Sequence, residues 1–219
     1  MFKLIQYIFF VAFSNLANGA SAPWVGNDLS GIACDGGAQG YGPYDYTKRS
    51  TLQTELTLVE SAHFTPAVEN LIKGNSSGAN PDGDIRYTLK AWPNHPRALL
   101  TSIRLQLNIK NKLTKFTQNI PPECYLQRAI RFSPNDTAIY TLYGYYLHKL
   151  GKLEVSSKYY EKSLSLNPDD SKAAYSYSLL LIDMKRLDDA LKYAKIAYTQ
   201  LNTPKSLKQK LIKLGAWRD

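Results

Sequence analysis

The sequence predicts an all-α, helical-repeat (α-solenoid) fold with an irregular Gly/Tyr-rich N-terminal arm and a C-terminal capping helix. Two observations carry this. The joints "AWPNHPRALL", "RFSPNDTAIY" and "SLNPDDSKAA" each run from apolar residues through Pro and Asn or Asp into a helix start, with Pro134 and Pro168 34 residues apart and Pro93 and Pro134 41 apart. Between the later joints, small residues alternate with large apolar ones at helical spacing, as close helix packing requires.

The elements follow in chain order. "MFKLIQYIFFVAFSNLANGASA" places one lysine before the apolar run Leu4–Phe13 and then small and polar residues. That order predicts a signal peptide over 1–22, too short to span a bilayer. Ala20-Ser21-Ala22 offers the cleavage site, and because Pro23 is a poor residue after it, cleavage after Gly19 or Ala20 is the alternative. Residues 23–62 form an extended arm. "CDGGAQGYGPYDYTKRS" holds too much glycine for a long helix, and "LTLVESAHF" has strand-like character. The arm is expected to pack along the helical body through its tyrosines.

Residues 63–219 form the repeat domain, with units near 63–95, 96–136, 137–170 and 171–204 and a capping helix over 205–219. In the first unit, "HFTPAVENLIKG" and "GDIRYTLKAW" read as a helix pair joined by "NSSGANPD". The second places helices at 96–110 and 122–132, and the connection between them houses the seven extra residues. Asp136 and Asp170 stand where a side chain can accept from the exposed N–H groups of a first helical turn. His95 occupies the same slot, with Pro96 preset for the first turn. After Pro204, Leu207, Leu211 and Leu214 form one apolar stripe, as expected of a cap over the open end of the stack.

Segment 137–170 resembles a tetratricopeptide repeat. Tyr140, Tyr143-Gly144 and Leu147 mark its first helix, Gly151 and Leu153 its turn, Ser156, Tyr160 and Ser163 its second helix, and Pro168 its end. Segment 171–204 repeats the pattern through Ala174, Tyr177, Ser178 and Leu181, then Leu187, Ala190, Ala194 and Ala197. The resemblance implies helix–turn–helix units and a partner-binding concave face lined by the first helix of each. Repeat register puts Arg97, Arg104, Thr141, Tyr145, His148, Lys172 and Tyr175 at or near that face. The family's Lys/Asn clamp for a C-terminal carboxylate is not reproduced: its positions carry Leu100/Arg104, Thr141/Tyr145 and Tyr175/Leu179. A Tyr/Arg/Lys face of this kind suits an acidic, aromatic or extended peptide.

Motifs for chemistry are missing from the sequence. No G-x-S-x-G, P-loop or dinucleotide fingerprint occurs, and His63, His95 and His148 do not cluster at metal-ligand spacing. No catalytic residue, cofactor or metal is therefore expected. His63, before Thr65-Pro66, reads as part of a helix start. The net charge of +9 permits anionic partners, but an exported protein meets envelope polymers, lipid or acidic proteins rather than nucleic acid. Self-association through open repeat ends is compatible with the fold. Cys34 and Cys124 can form one disulfide tying arm to body, and two buried free thiols are the alternative.

The expected function is a non-enzymatic scaffold or adaptor in the bacterial envelope, periplasmic or else secreted. The alternative is an accessory or regulatory subunit of an envelope enzyme or of a secretion or pilus assembly, whose arm occupies or gates the groove.

Overall fold

A computed structural model describes residues 21–75, 80–199 and 204–217. Apart from Ser21 and Ala22, the expected leader lies outside the described residues. Ten α-helices occur among them: α1 (Gln53–His63), α2 (Pro66–Glu69), α3 (Asp82–Ala91), α4 (Pro96–Lys110), α5 (Pro122–Phe132), α6 (Thr137–Lys149), α7 (Leu153–Leu166), α8 (Ser171–Asp183), α9 (Leu187–Ala197) and α10 (Ser206–Lys213). No β-strand forms among the described residues, which makes the fold all-helical.

The helices stack as antiparallel pairs. α6 packs along α7, α8 along α9, and α4 against α5. The first helices also touch in a row, α4 on α6, α6 on α8 and α8 on α10, and this row is the face that repeat register marks as concave. The reason for the close pairing is visible at the crossings. Ser156 on α7 donates its hydroxyl to the Gly144 carbonyl of α6 at 2.7 Å, and Ser178 on α8 donates to the Ala190 carbonyl of α9 at 2.7 Å. A larger side chain at either position would force the backbones apart. One core, built around Leu99, Ile103, Leu126 and Ile139, fills the N-terminal half, and a second, around Tyr160, Tyr177, Leu181 and Ala194, fills the C-terminal half.

Sequence and structure differ at four places. "LTLVESAHF" is helical, within α1, up to its final residue Phe64, so the extended course of the arm ends at residue 52 rather than 62. Leu52, Leu56 and Val59 recur at helical spacing and pack with Trp92, whereas a strand there would have no neighbour to pair with. "HFTPAVENLIKG" yields only the single turn α2, because Leu71 adopts φ 57° and stops the helix. α1 packs on α3 in its place. His63 does not cap α2: its Nδ1 bonds the buried Asp84 Oδ1 at 3.0 Å, and Tyr87 stacks on its ring. In α10, Leu207 and Leu211 are fully buried, but Leu214, the residue just past its end, is 46% exposed. Gly215, at φ 66°, reverses the chain so that Ala216 closes the stripe in its stead.

The arm does not run over the concave face. It crosses α3, α5 and the start of α4, and Cys34 is bonded to Cys124 with Cα atoms 5.4 Å apart. That link closes a loop of 90 residues, a constraint worth about 4.6 kcal/mol when it acts through the entropy of the unfolded chain. The Tyr44 N–H donates to the Ala91 carbonyl at 2.8 Å. Tyr44 and Tyr46 both pack on the buried Trp92. The buried Asn94 accepts from the Tyr46 N–H at 2.8 Å and donates to Asp45 at 2.7 Å and Asp136 at 2.9 Å. Arm, first joint and the start of α6 are therefore pinned at one side chain.

Candidate functional site

Three capped helix starts organise the concave face. His95 Nδ1 accepts from the Ala98 N–H at 3.1 Å at the start of α4, and Asp136 Oδ1 from the Ala138 N–H at 3.1 Å at the start of α6. Asp170 Oδ1 accepts from the N–H groups of Lys172 and Ala173 at 3.0 Å each at the start of α8. The first turns of these helices meet in a groove of about 380 Å³. Pro96, Leu100, Ala138 and Leu142 supply its apolar lining, and Arg97, Thr141, Asp170 and Lys172 its polar groups. No arm residue lines it.

The groove thus brings together Arg97, Thr141 and Lys172 of the residues that register places on this face. Arg97 is charge-balanced. Its Nε donates to Glu69 Oε1 at 2.8 Å, its Nη2 pairs with Glu69 Oε2, and its Nη1 reaches Glu60 Oε1 at 3.3 Å. These bonds hold Glu69 below the usual carboxylate range and push Arg97 up. Because Nδ1 of the buried His95 is occupied as an acceptor, its Nε2–H donates to Glu60 Oε1 at 2.9 Å. Glu60 is held low by this bond, and burial pushes His95 below 6.5. Thr141 bonds the Ser163 hydroxyl at 2.8 Å and so is tied to α7. Lys172 is exposed at the rim.

The other four are spread along the same row. Arg104 reaches the Glu69 carbonyl at 3.4 Å. Tyr145 is half-buried between the two cores, with the Lys149 ammonium 5.6 Å from its ring centre. His148 bonds Asp183 at 2.9 Å, and the same carboxylate takes Lys210 of α10 at 3.1 Å. Burial opposes the charge on Asp183, but these two bonds keep it below its ordinary value. Tyr175 is half-buried and exchanges a 2.9 Å bond with Ser206, which joins α8 to α10. Tyr145 and Tyr175 therefore hold the stack together as much as they face solvent.

Sequence register missed Ala138, Leu142 and the two glutamates. Ala138 and Leu142 lie four apart, on the row next to Thr141, and that spacing was the available signal. Glu60 and Glu69 sit on α1 and α2, where the helix assignment differed. Chemically, the groove offers an apolar floor, a hydroxyl, an ammonium, the charge-balanced guanidinium and the Asp170 carboxylate, which is engaged by the α8 start. Among the described residues, no group of three His, Cys, Asp or Glu side chains is placed to hold a metal ion. No helix among them is long and apolar enough to cross a membrane.

Comparison with known proteins agrees with this geometry at one unit. The tetratricopeptide repeat family model matches residues 137–170, the α6–α7 pair. No curated protein matches the chain in sequence. Among solved structures, the crystal structure of MamA is similar at TM-score 0.45 and 18% identity, covering 76% of this chain and 84% of that one. The likeness to the tetratricopeptide repeat therefore covers the α6–α7 pair, one unit of an all-helical stack.

Proposed function

We propose that the chain is a non-enzymatic scaffold that captures an extended segment of a partner protein on its concave face. The observation that carries this reading is the groove across α4, α6 and α8. An apolar floor with Lys172 at its rim suits a segment with an apolar side chain beside a carboxylate. The leader-like residues 1–22 and the Cys34–Cys124 bond support action in an oxidising compartment, the bacterial envelope.

A displayed random-peptide library, selected against the full chain, tests the proposal. Selected peptides should combine an apolar anchor with an acidic residue. They should bind Leu100→Asp and Lys172→Glu variants at least about tenfold more weakly. Helix content measured by circular dichroism checks that the variants fold. Peptides that bind wild type and variants equally, or a selection that enriches none, would overturn the concave-face reading.

A further inference from the structure

We propose that the outer face of α10 docks the protein on an anionic phospholipid surface, independently of the groove. From Ala190 to Trp217 the chain contains lysines 192, 195, 205, 208, 210 and 213 and no aspartate or glutamate. Four of them, Lys205, Lys208, Lys210 and Lys213, sit on α10 and its start, a cluster of the size that attracts anionic headgroups. The fold gives the charge a direction. Leu207 and Leu211 are fully buried and pin one side of α10 to the stack, so Lys205, Gln209, Ile212 and Lys213 fall on the opposite, exposed side.

Apolar groups accompany the lysines. Ile212 is 54% exposed and Leu214 46%, and the core gains little from either. The turn at Gly215 that excludes Leu214 from the buried stripe also folds Trp217 back under Lys208, whose ammonium lies 4.5 Å from the ring centre. A shallow cavity of about 460 Å³ among Ser206, Gln209, Lys210, Ile212 and Lys213 is lined mostly by apolar surface with ammonium groups at its edge. Lys210 is partly balanced by Asp183, so Lys205 and Lys213 carry the contact. Flexible lysine stems around isolated aliphatic side chains match a fluid lipid interface, where the stems lie along apolar surface and the ammonium groups reach phosphate.

Sedimentation of the full chain with vesicles tests this. The probes are phosphatidylcholine vesicles with and without phosphatidylglycerol. The apolar run Leu4–Phe13 is present in every variant, so the anionic-over-neutral binding ratio is read. The ratio should be about tenfold or more and should fall with added salt. Lys205→Glu with Lys213→Glu should bring it close to one, and Ile212→Ser with Leu214→Ser should lower the binding that survives high salt. All four side chains are exposed, and an unchanged melting temperature confirms folding. A ratio near one for wild type would overturn the proposal, as would a ratio that charge reversal leaves intact. Equal binding to duplex DNA or polyglutamate in place of the vesicles would overturn it too.

Discussion

The Nε–H of Arg128 donates to the carbonyl of Ala22 at 2.7 Å across 106 residues of chain. Arg128 is 1% exposed, and its other close partners are the Leu89 carbonyl at 2.7 Å and Gln39 Oε1 at 2.6 Å. The Trp24 ring covers its guanidinium at 4.8 Å. Neutral oxygens satisfy this cation, and burial lowers its pKa to about 10. One planar fork thus ties Ala22, ahead of the Gly-rich stretch, and Gln39, within it, to α3 and α5. Arg128→Met should cost about 3 kcal/mol, because the oxygens it leaves behind stay dry. Arg128→Lys should restore little, since one ammonium cannot span the three acceptors. Urea denaturation gives the loss, and hydrogen exchange should rise through residues 21–52. A loss under about 0.5 kcal/mol would remove Arg128 as the anchor of the arm.

Gly144 is a second place where one residue sets the packing. A Cβ there would lie 3.0 Å from the ring carbons of the fully buried Tyr160. A helical glycine otherwise costs about 1 kcal/mol relative to alanine, so its presence marks the closeness of α6 and α7. Gly144→Val should destabilise by about 3 kcal/mol through overpacking. Ser156→Ala should cost about 1 kcal/mol by removing the buried hydroxyl bond that joins α7 to the Gly144 carbonyl, which keeps its own helical partner. Thermal or urea unfolding measures both, and a neutral valine would show that the crossing can relax.

Acid should act through His95. Burial lowers its folded-state value from 6.5, although the bond to Glu60 pulls the other way. The unfolded chain therefore takes up the proton first, so stability falls as pH drops below about 6.5, by at most about 1.4 kcal/mol per unit. Glu60 and Glu69, held below 4.5, add a further loss at lower pH. His95→Asn keeps a cap acceptor for Ala98 and should flatten the slope between about pH 6.5 and 5. Urea midpoints across that range provide the check, and an unchanged slope would exclude His95 as the titrating group.

The parts legible in the sequence are the local ones. The Asp136 and Asp170 caps, the helices from 96 to 110 and from 122 to 132, and the joint role of His95 depend on residues within one or two helical turns of one another. Short-range hydrogen bonding and side-chain periodicity suffice to specify them. The candidate site was legible to the extent that repeat register determines it, which placed Arg97, Thr141 and Lys172 in one groove. It was not legible that Glu60 and Glu69 balance Arg97, because those partners come from helices 28 and 37 residues upstream.

By itself, then, the sequence determined an all-helical repeat with its joints, caps and small-residue crossings. Tertiary structure alone decided that Cys34 pairs with Cys124, that the arm lies on α3 and α5 away from the groove, and that Arg128 is buried among carbonyls. It also decided that "LTLVESAHF" is helix and that Leu214 faces outward. The physical reason is common to all of these. Each depends on which distant surface a segment meets, and that choice follows from the burial and hydrogen bonding available in the assembled stack rather than from any pattern within the segment.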